Sequence, residues 1–325
     1  MELICPAGTP AALRAAVDAG ADAVYCGFRD ETNARNFPGL NFSAEEMRAG
    51  IAYAHKRGVR VLVAINTFAR AGSLEVWERA VDRATEAGAD ALIIADIGVL
   101  DYAARRHPDQ RLHLSVQAAA ANPDAIDYYV KAFGVRRVVL PRVLSVPEIA
   151  AITQEVDCET EVFVFGGLCV MEEGRCSLSS YATGKSPNMN GVCSPASHVH
   201  YREQDGELVS RLGAFTVNKF SAGEPAGYPT LCKGRFQTEH GAGYLFEDPV
   251  SLDATSMLPE LRKAGVAALK IEGRQRGRAY IERVVRSFRQ TLAGLESDSA
   301  APAGDLVALT EGQSTTAGAY RKSWR

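Results

Sequence analysis

Eight short apolar runs, each followed by an amphipathic stretch, constrain this chain more than any other feature. They cover residues 3–5, 23–26, 59–64, 91–95, 112–116, 137–140, 162–165 and 267–271. Runs that are mostly apolar and β-branched suit strands buried on both faces, as in a parallel sheet covered by helices. The stretches between them carry helix-start signals. Ser43 with Glu46, and Ser145 with Glu148, have the spacing of a capping box, and Asn122 before Pro123 offers a cap followed by a pre-set first turn. Stop signals recur as near copies around Gly20, Gly88 and Gly265, with Gly58 and Gly134 in equivalent places. A glycine there ends a helix in the left-handed conformation before the next strand.

This alternation predicts an α/β fold, a TIM-like (β/α)8 barrel, with an open doubly wound sheet as the alternative. Residues 1–166 supply the first seven strands. Between strand seven and its helix, expected over 253–263, lie more than eighty residues where a barrel needs only a few. The segment 167–250 is therefore a long insertion in a βα-loop, and such loops gather at the C-terminal face where barrel active sites lie. Within it, residues 200–212 around Asp205-Gly206 and 233–246 around Gly241-Ala242-Gly243 read as hairpins. Residues 251–295 complete the barrel, ending in a helix over 278–295, and the Ser/Ala/Gly-rich 296–325 reads as a loosely ordered tail.

The 46% hydrophobic content of 325 residues is enough for a large core. A formal net charge of −3 argues against an electrostatic nucleic-acid footprint, so no nucleic-acid partner is expected. No signal-type N-terminus and no apolar stretch of membrane-spanning length is present, which predicts a cytoplasmic protein without a membrane span. In a reducing compartment, seven cysteines suggest metal binding or burial more than disulfides.

Four of the seven, Cys169, Cys176, Cys193 and Cys232, fall in the insertion among Gly, Ser and Pro, where a thiol is hard to explain as core filling. Six, sixteen and thirty-eight residues separate them. Structural zinc usually uses pairs spaced by two to four residues, whereas an iron–sulfur cluster accepts ligands from separate turns. Cluster, zinc and unligated thiols all remain open on spacing. Cys5, Cys26 and Cys158 read as buried, His113 as packed, and His198 and His200 as surface residues of a hairpin. There is no His-Glu-x-x-His helix, Gly-x-Ser-x-Gly elbow or phosphate loop.

The run Glu161-x-Phe163-x-x-Gly166-Gly167-Leu168-Cys169-x4-Gly174-x-Cys176-x-Leu178-Ser179 resembles the motif of the U32 peptidase family, with Gly167 where Ser or Ala is expected. Cys5-Pro6-Ala7-Gly8, Ala34-Arg35-Asn36-Phe37 and Lys270-Ile271-Glu272-Gly273-Arg274 resemble it too. The segments around Arg175-Cys176, Val192-Cys193 and Leu231-Cys232 are most similar to the ubiquinone-biosynthesis branch of that family. This resemblance implies a [4Fe-4S] cluster held by Cys169, Cys176, Cys193 and Cys232. It further implies oxygen-independent hydroxylation of a quinone precursor, in a heterodimer with a paralogous UbiV-like subunit and with prephenate as hydroxyl donor. Relatives that hydroxylate RNA bases with prephenate, or a U32-type peptidase, are the alternatives. With four cysteine ligands and no open iron site, electron transfer is the role such a cluster suits, and a purely structural cluster in a scaffold subunit is the other. An anionic dicarboxylate donor calls for arginine forks. Of the polar residues expected at strand ends, Tyr25, Asn66, Asp96, Gln117, Arg142, Glu272, Arg274 and the adjacent Arg35, the three arginines Arg35, Arg142 and Arg274 are therefore the candidates for donor binding.

Overall fold

The computed structural model describes residues 1–169, 176–297 and 306–321. Seven strands come first: β1 (Glu2–Pro6), β2 (Ala23–Cys26), β3 (Arg60–Ile65), β4 (Ala91–Ile94), β5 (Leu112–Leu114), β6 (Arg137–Val139) and β7 (Glu159–Gly167). Between them lie α1 (Pro10–Asp18), α2 (Ala44–His55), α3 (Glu75–Glu86), α4 (Ile97–Arg106), α5 (Pro123–Phe133) and α6 (Val146–Glu155). The insertion then adds α7 (Ser177–Thr183), α8 (Pro187–Asn190), β8 (Val199–Gln204), β9 (Glu207–Leu212), β10 (Phe215–Phe220), β11 (Arg235–Thr238) and β12 (Gly241–Tyr244). The chain returns through β13 (Ser251–Asp253), α9 (Leu258–Lys263), β14 (Ala268–Ile271) and α10 (Arg278–Glu296), and β15 (Thr315–Thr316) follows in the tail.

Strands β1 to β7 pair in parallel in sequence order, and β14 pairs in parallel with both β1 (Leu3 opposite Leu269) and β7 (Leu269 opposite Val162). That double pairing closes the cylinder and rules out the open sheet. All eight apolar runs are barrel strands. Their outward residues, Val61, Val63 and Leu92 among them, form one core with Met47, Trp77 and Phe288 of the helices. The inward residues divide by strand. Ile4, Tyr25, Leu62, Ala64, Ile93 and Ala268 make a small apolar lining, while β5, β6, β7 and β14 turn His113, Arg137, Glu161 and Lys270 into the cylinder, each no more than 4% exposed.

The helix signals act as expected. The Ser43 hydroxyl accepts from Glu46 N at 3.1 Å while the Glu46 carboxylate accepts from Ser43 N at 2.9 Å. Asn122 Oδ1 accepts from Ala125 N at 2.9 Å, and Gly134 closes α5 at φ 67°.

In the insertion, β8 and β9 are the expected hairpin, turning at Asp205 (φ 55°) and Gly206 (φ 79°), both in the left-handed region as a type I′ turn requires. The third strand, β10, was not legible because a bulge between Thr216 and Asn218 breaks its alternation. The second hairpin differs from expectation by two residues: it turns at Glu239-His240, and Gly241-Ala242-Gly243 lies inside β12. The Thr238 hydroxyl sets that turn, accepting from His240 N at 3.1 Å and donating to Gly241 O at 2.9 Å. The expectation of a loose tail is corrected over 306–321. There β15 pairs with β13, Leu306 and Tyr320 are each 4% exposed, and the Tyr320 hydroxyl donates to Phe163 O. Among the described residues no helix is long and apolar enough to cross a membrane.

Candidate active site at the barrel mouth

The C-terminal ends of the strands surround a recess of about 520 Å³, counting the part open to solvent. Four cations line it, Arg35, Arg142, Lys270 and Arg274, against one carboxylate, Glu272. All three arginines singled out from the sequence are therefore here. Each is held by different means.

Arg35 sits on the loop after β2. Asn66, at the end of β3, accepts from Ala34 N at 3.0 Å and donates to the Ser115 hydroxyl at 3.2 Å, tying that loop across to the end of β5. Asn33 Oδ1 accepts from Arg35 N at 3.0 Å and from Arg274 Nη1 at 3.2 Å, so one buried amide positions two of the cations. Arg35 Nε lies 3.7 Å from Glu272 Oε1. Arg142, after β6, lays its guanidinium 3.7 Å from the centre of the Phe163 ring, an arrangement that supports a cation with little loss of donors.

Burial opposes charge on Glu272, Arg35, Arg274 and Lys270, and the neighbours decide the outcome. Burial disfavours the Glu272 carboxylate, but Arg35, Arg142 and Arg276 outweigh it and hold the group below the usual carboxylate range. Burial likewise works against Arg35, and Glu272 with nearby thiols keeps it more firmly protonated than usual. Arg274 has less compensation, and burial brings it down to about 10. Lys270 is lowered for the same reason, with only partial relief from Glu161 at 2.6 Å. The recess is thus a desolvated surplus of positive charge, suited to an anion with more than one acidic group.

Two expected site residues have other duties. Asp96 caps α4 by accepting from Gly98 N and Val99 N at 2.8 and 3.1 Å, and it also accepts from Ala69 N at 3.1 Å. Tyr25 lines the recess but spends its hydroxyl on Ile271 O at 2.9 Å. Lys270 and Asn33 were missed. The lone lysine inside the apolar run 267–271 was the available signal, since a buried ammonium needs a partner.

The insertion comes down onto the same mouth. Asn36 N donates to Gly191 O at 3.1 Å, and a Cβ on Gly191 would collide with the Asn33 carbonyl. Gly167 N donates to Glu272 Oε2 at 3.1 Å. These contacts bring Cys193 and Cys169 within electrostatic reach of Arg35. Cys193 in turn feels Cys176, and Cys232 feels Cys169 and Cys193. Burial raises Cys193 and pushes Cys232 up to about 11. Backbone further organises the set: Ser179 N donates to Cys176 Sγ at 3.4 Å, and the Ser179 hydroxyl donates to Cys193 O. All seven cysteines are free thiols, and residues 170–175 of the motif lie outside the described residues. Among the described residues no three His, Cys, Asp or Glu side chains are grouped to hold a metal ion. Cys5 and Cys26 are buried as expected, Cys158 near the start of β7 is only partly buried, and His113 is 2% exposed. Of the insertion's tyrosines, Tyr228 bonds internally to Ser194 O at 2.9 Å and Tyr181 faces solvent.

Comparison with known proteins gives this geometry a context. Residues 8–315 match the model of Peptidase family U32. Tested against individual proteins, the chain is 34% identical over 316 residues to the tRNA hydroxylation protein P of Escherichia coli, covering 90% of this chain and 67% of that one. It is 30% identical to the tRNA hydroxylation protein P1 of Bacillus subtilis, covering 90% and 63%. The 23S rRNA 5-hydroxycytidine C2501 synthase of Escherichia coli is 29% identical, with 96% of this chain matching 42% of that protein. These names correct the sequence expectation of a ubiquinone-ring hydroxylase: the relatives are described by RNA hydroxylation, and the branch resemblance rested on short segments around single cysteines. With the match extending from the first βα-loop to the tail strand, the chain belongs to peptidase family U32.

Proposed function

We propose that this chain is the barrel portion of an RNA-base hydroxylase that takes its oxygen from an anionic donor bound in the recess. The observation that carries this reading is the desolvated excess of cations at the barrel mouth, Arg35, Arg142 and Arg274 against Glu272 with Lys270 already paired to Glu161, within electrostatic reach of Cys169 and Cys193. The relatives' RNA hydroxylation supports the reaction class. The chain's net charge of −3 is a whole-molecule sum and does not decide what one face binds.

Replacing a ring C–H by C–OH is a two-electron oxidation, matched by two-electron reduction of the donor that surrenders its oxygen. Arg35, Arg142 and Arg274 hold the donor's carboxylates, as a dicarboxylate of the prephenate class would require, and Glu272 keeps Arg35 oriented. Tyr25 and Phe163 form the wall against which the donor lies and exclude water. Cys169, Cys176, Cys193 and Cys232 are the residues that would hold a [4Fe-4S] cluster, which supplies electron transfer when bound. The mutual electrostatic influence of these cysteines supports a shared site, and their wide spacing of six, sixteen and thirty-eight residues suits a cluster more than a zinc knuckle.

The test is anaerobic incubation of the purified protein with unmodified tRNA and prephenate, with hydroxylated nucleosides read by mass spectrometry. Product should form, and Arg35→Ala or Arg142→Ala should raise the donor KM about tenfold or more, the worth of one charge-assisted contact. Donor KM unchanged in both variants would remove the arginines from the site. Iron and acid-labile sulfide should fall in Cys176→Ala, and retained iron would remove that cysteine from the ligand set.

A further inference from the structure

The three-stranded sheet of the insertion carries a charge distribution that the recess does not use. One face of β8–β9–β10 packs inward, where Leu212 meets Leu231 and Phe236, and Asn218 Oδ1 accepts from Arg235 N at 2.7 Å. The opposite face is open. On it His200 lies directly across from Arg211, and Val209 lies between Arg202 on one side and Lys219 on the other. His200, Arg202, Arg211 and Lys219 are all exposed, whereas Val209 between them is 6% exposed.

Arg202 and Lys219 stand on this face with Arg211, two strands apart across Val209, and Glu207 is the one acidic residue of these strands that shares it. Among the described residues none of the four has a carboxylate within ion-pair distance. Arg202 and Arg211 spend donors on neutral oxygens, Gln204 Oε1 at 2.8 Å and Ala214 O at 2.7 Å. Glu207 lies at the hairpin end of the face. With a strand spacing of about 4.8 Å, the cations on β8 and β10 stand roughly 10 Å apart, so the patch spans several phosphates of a polynucleotide strand.

We infer that the open face of the β8–β9–β10 sheet, through Arg202, Arg211 and Lys219, docks the phosphate backbone of the RNA substrate. The inference rests on the RNA reading above and extends it by placing the contact on the insertion, not the barrel. The sheet is continuous with the cysteine segment: Tyr201 Oη donates to Gly227 O at 3.1 Å, and Tyr228 Oη donates to Ser194 O, next to Cys193.

The test is equilibrium binding of bulk tRNA to the full chain by filter retention over a salt series. Wild type should bind at low salt. The triple variant Arg202→Glu/Arg211→Glu/Lys219→Glu should lose at least tenfold in affinity, and its log K against log salt should be shallower by about two to three units, three contacts at 0.7–0.9 each. The glutamine triple variant should flatten the slope in the same sense, and Lys56→Glu on the barrel should change neither quantity; circular dichroism and donor KM report that each variant is folded. Equal affinity and slope in both triple variants would overturn the docking face while leaving RNA hydroxylation standing. If wild type retains no tRNA at low salt, the RNA reading and this face fall together. Displacement of bound tRNA by poly-glutamate at equal charge would overturn the choice of RNA in favour of an acidic protein.

Discussion

Barrel and insertion are built on opposite terms. The barrel has one continuous apolar core shared by eight strands and their helices, and its charged residues are paired inside the cylinder. The described insertion has a single small apolar cluster centred on Leu212, Val217 and Leu231, and its place is kept by point contacts such as Asn36 to Gly191 and Lys233 to Glu311. Stability therefore belongs to the barrel and adjustability to the segment that carries the thiols and the cationic sheet. Functional segments are commonly drawn from the less stable part of a fold.

That contrast is open to attack at several points. The largest effect is expected from Arg137→Met, which takes the shared partner from Glu2, Glu159 and Glu161 and leaves them only Arg60, Arg111 and Lys270; loss of one partner in a buried ionic network costs up to about 3–5 kcal/mol, read by denaturant unfolding of the whole chain. Leu212→Ala should cost about 2–5 kcal/mol locally, yet appear as lost amide-hydrogen protection over 199–220 with the barrel's unfolding midpoint unmoved. A common shift of both would make barrel and insertion one cooperative unit. Gly191→Ala places a side chain at φ 73° against the Asn33 carbonyl, and about 1–3 kcal/mol of strain should loosen the insertion without touching its own core.

A smaller effect separates the two regions by pH. Burial, with Arg137, Arg111 and Lys270 nearby, lowers His113 well below its ordinary value of 6.5, so below that pH the unfolded chain takes up a proton that the barrel refuses. Barrel stability should be level above pH 6.5 and fall by up to about 1.4 kcal/mol per unit below it, and His113→Gln should remove that slope. Smallest is Asn122→Ala, a lost cap costing about 1 kcal/mol.

Much of the site was legible because barrel topology converts position in the chain into position at the mouth: Arg35, Arg142 and Arg274 each follow a strand and each lines the recess. What was not legible depends on partners far apart in sequence. Lys270 finds Glu161 across 109 residues, and Asn33 finds Arg274 across 241. The third insertion strand was hidden by its bulge, and the docked tail by the weakness of its two-residue strand.

By itself the sequence determined the eight-strand alternation, the helix caps and the excursion after the seventh strand, since each follows from local periodicity and backbone preference. Only the tertiary structure decided that the cylinder closes, that its inner wall is half apolar and half ionic, and that three arginines share one desolvated space. Those outcomes are set by burial and electrostatics between distant segments, whose strength depends on separations in space that no local pattern encodes.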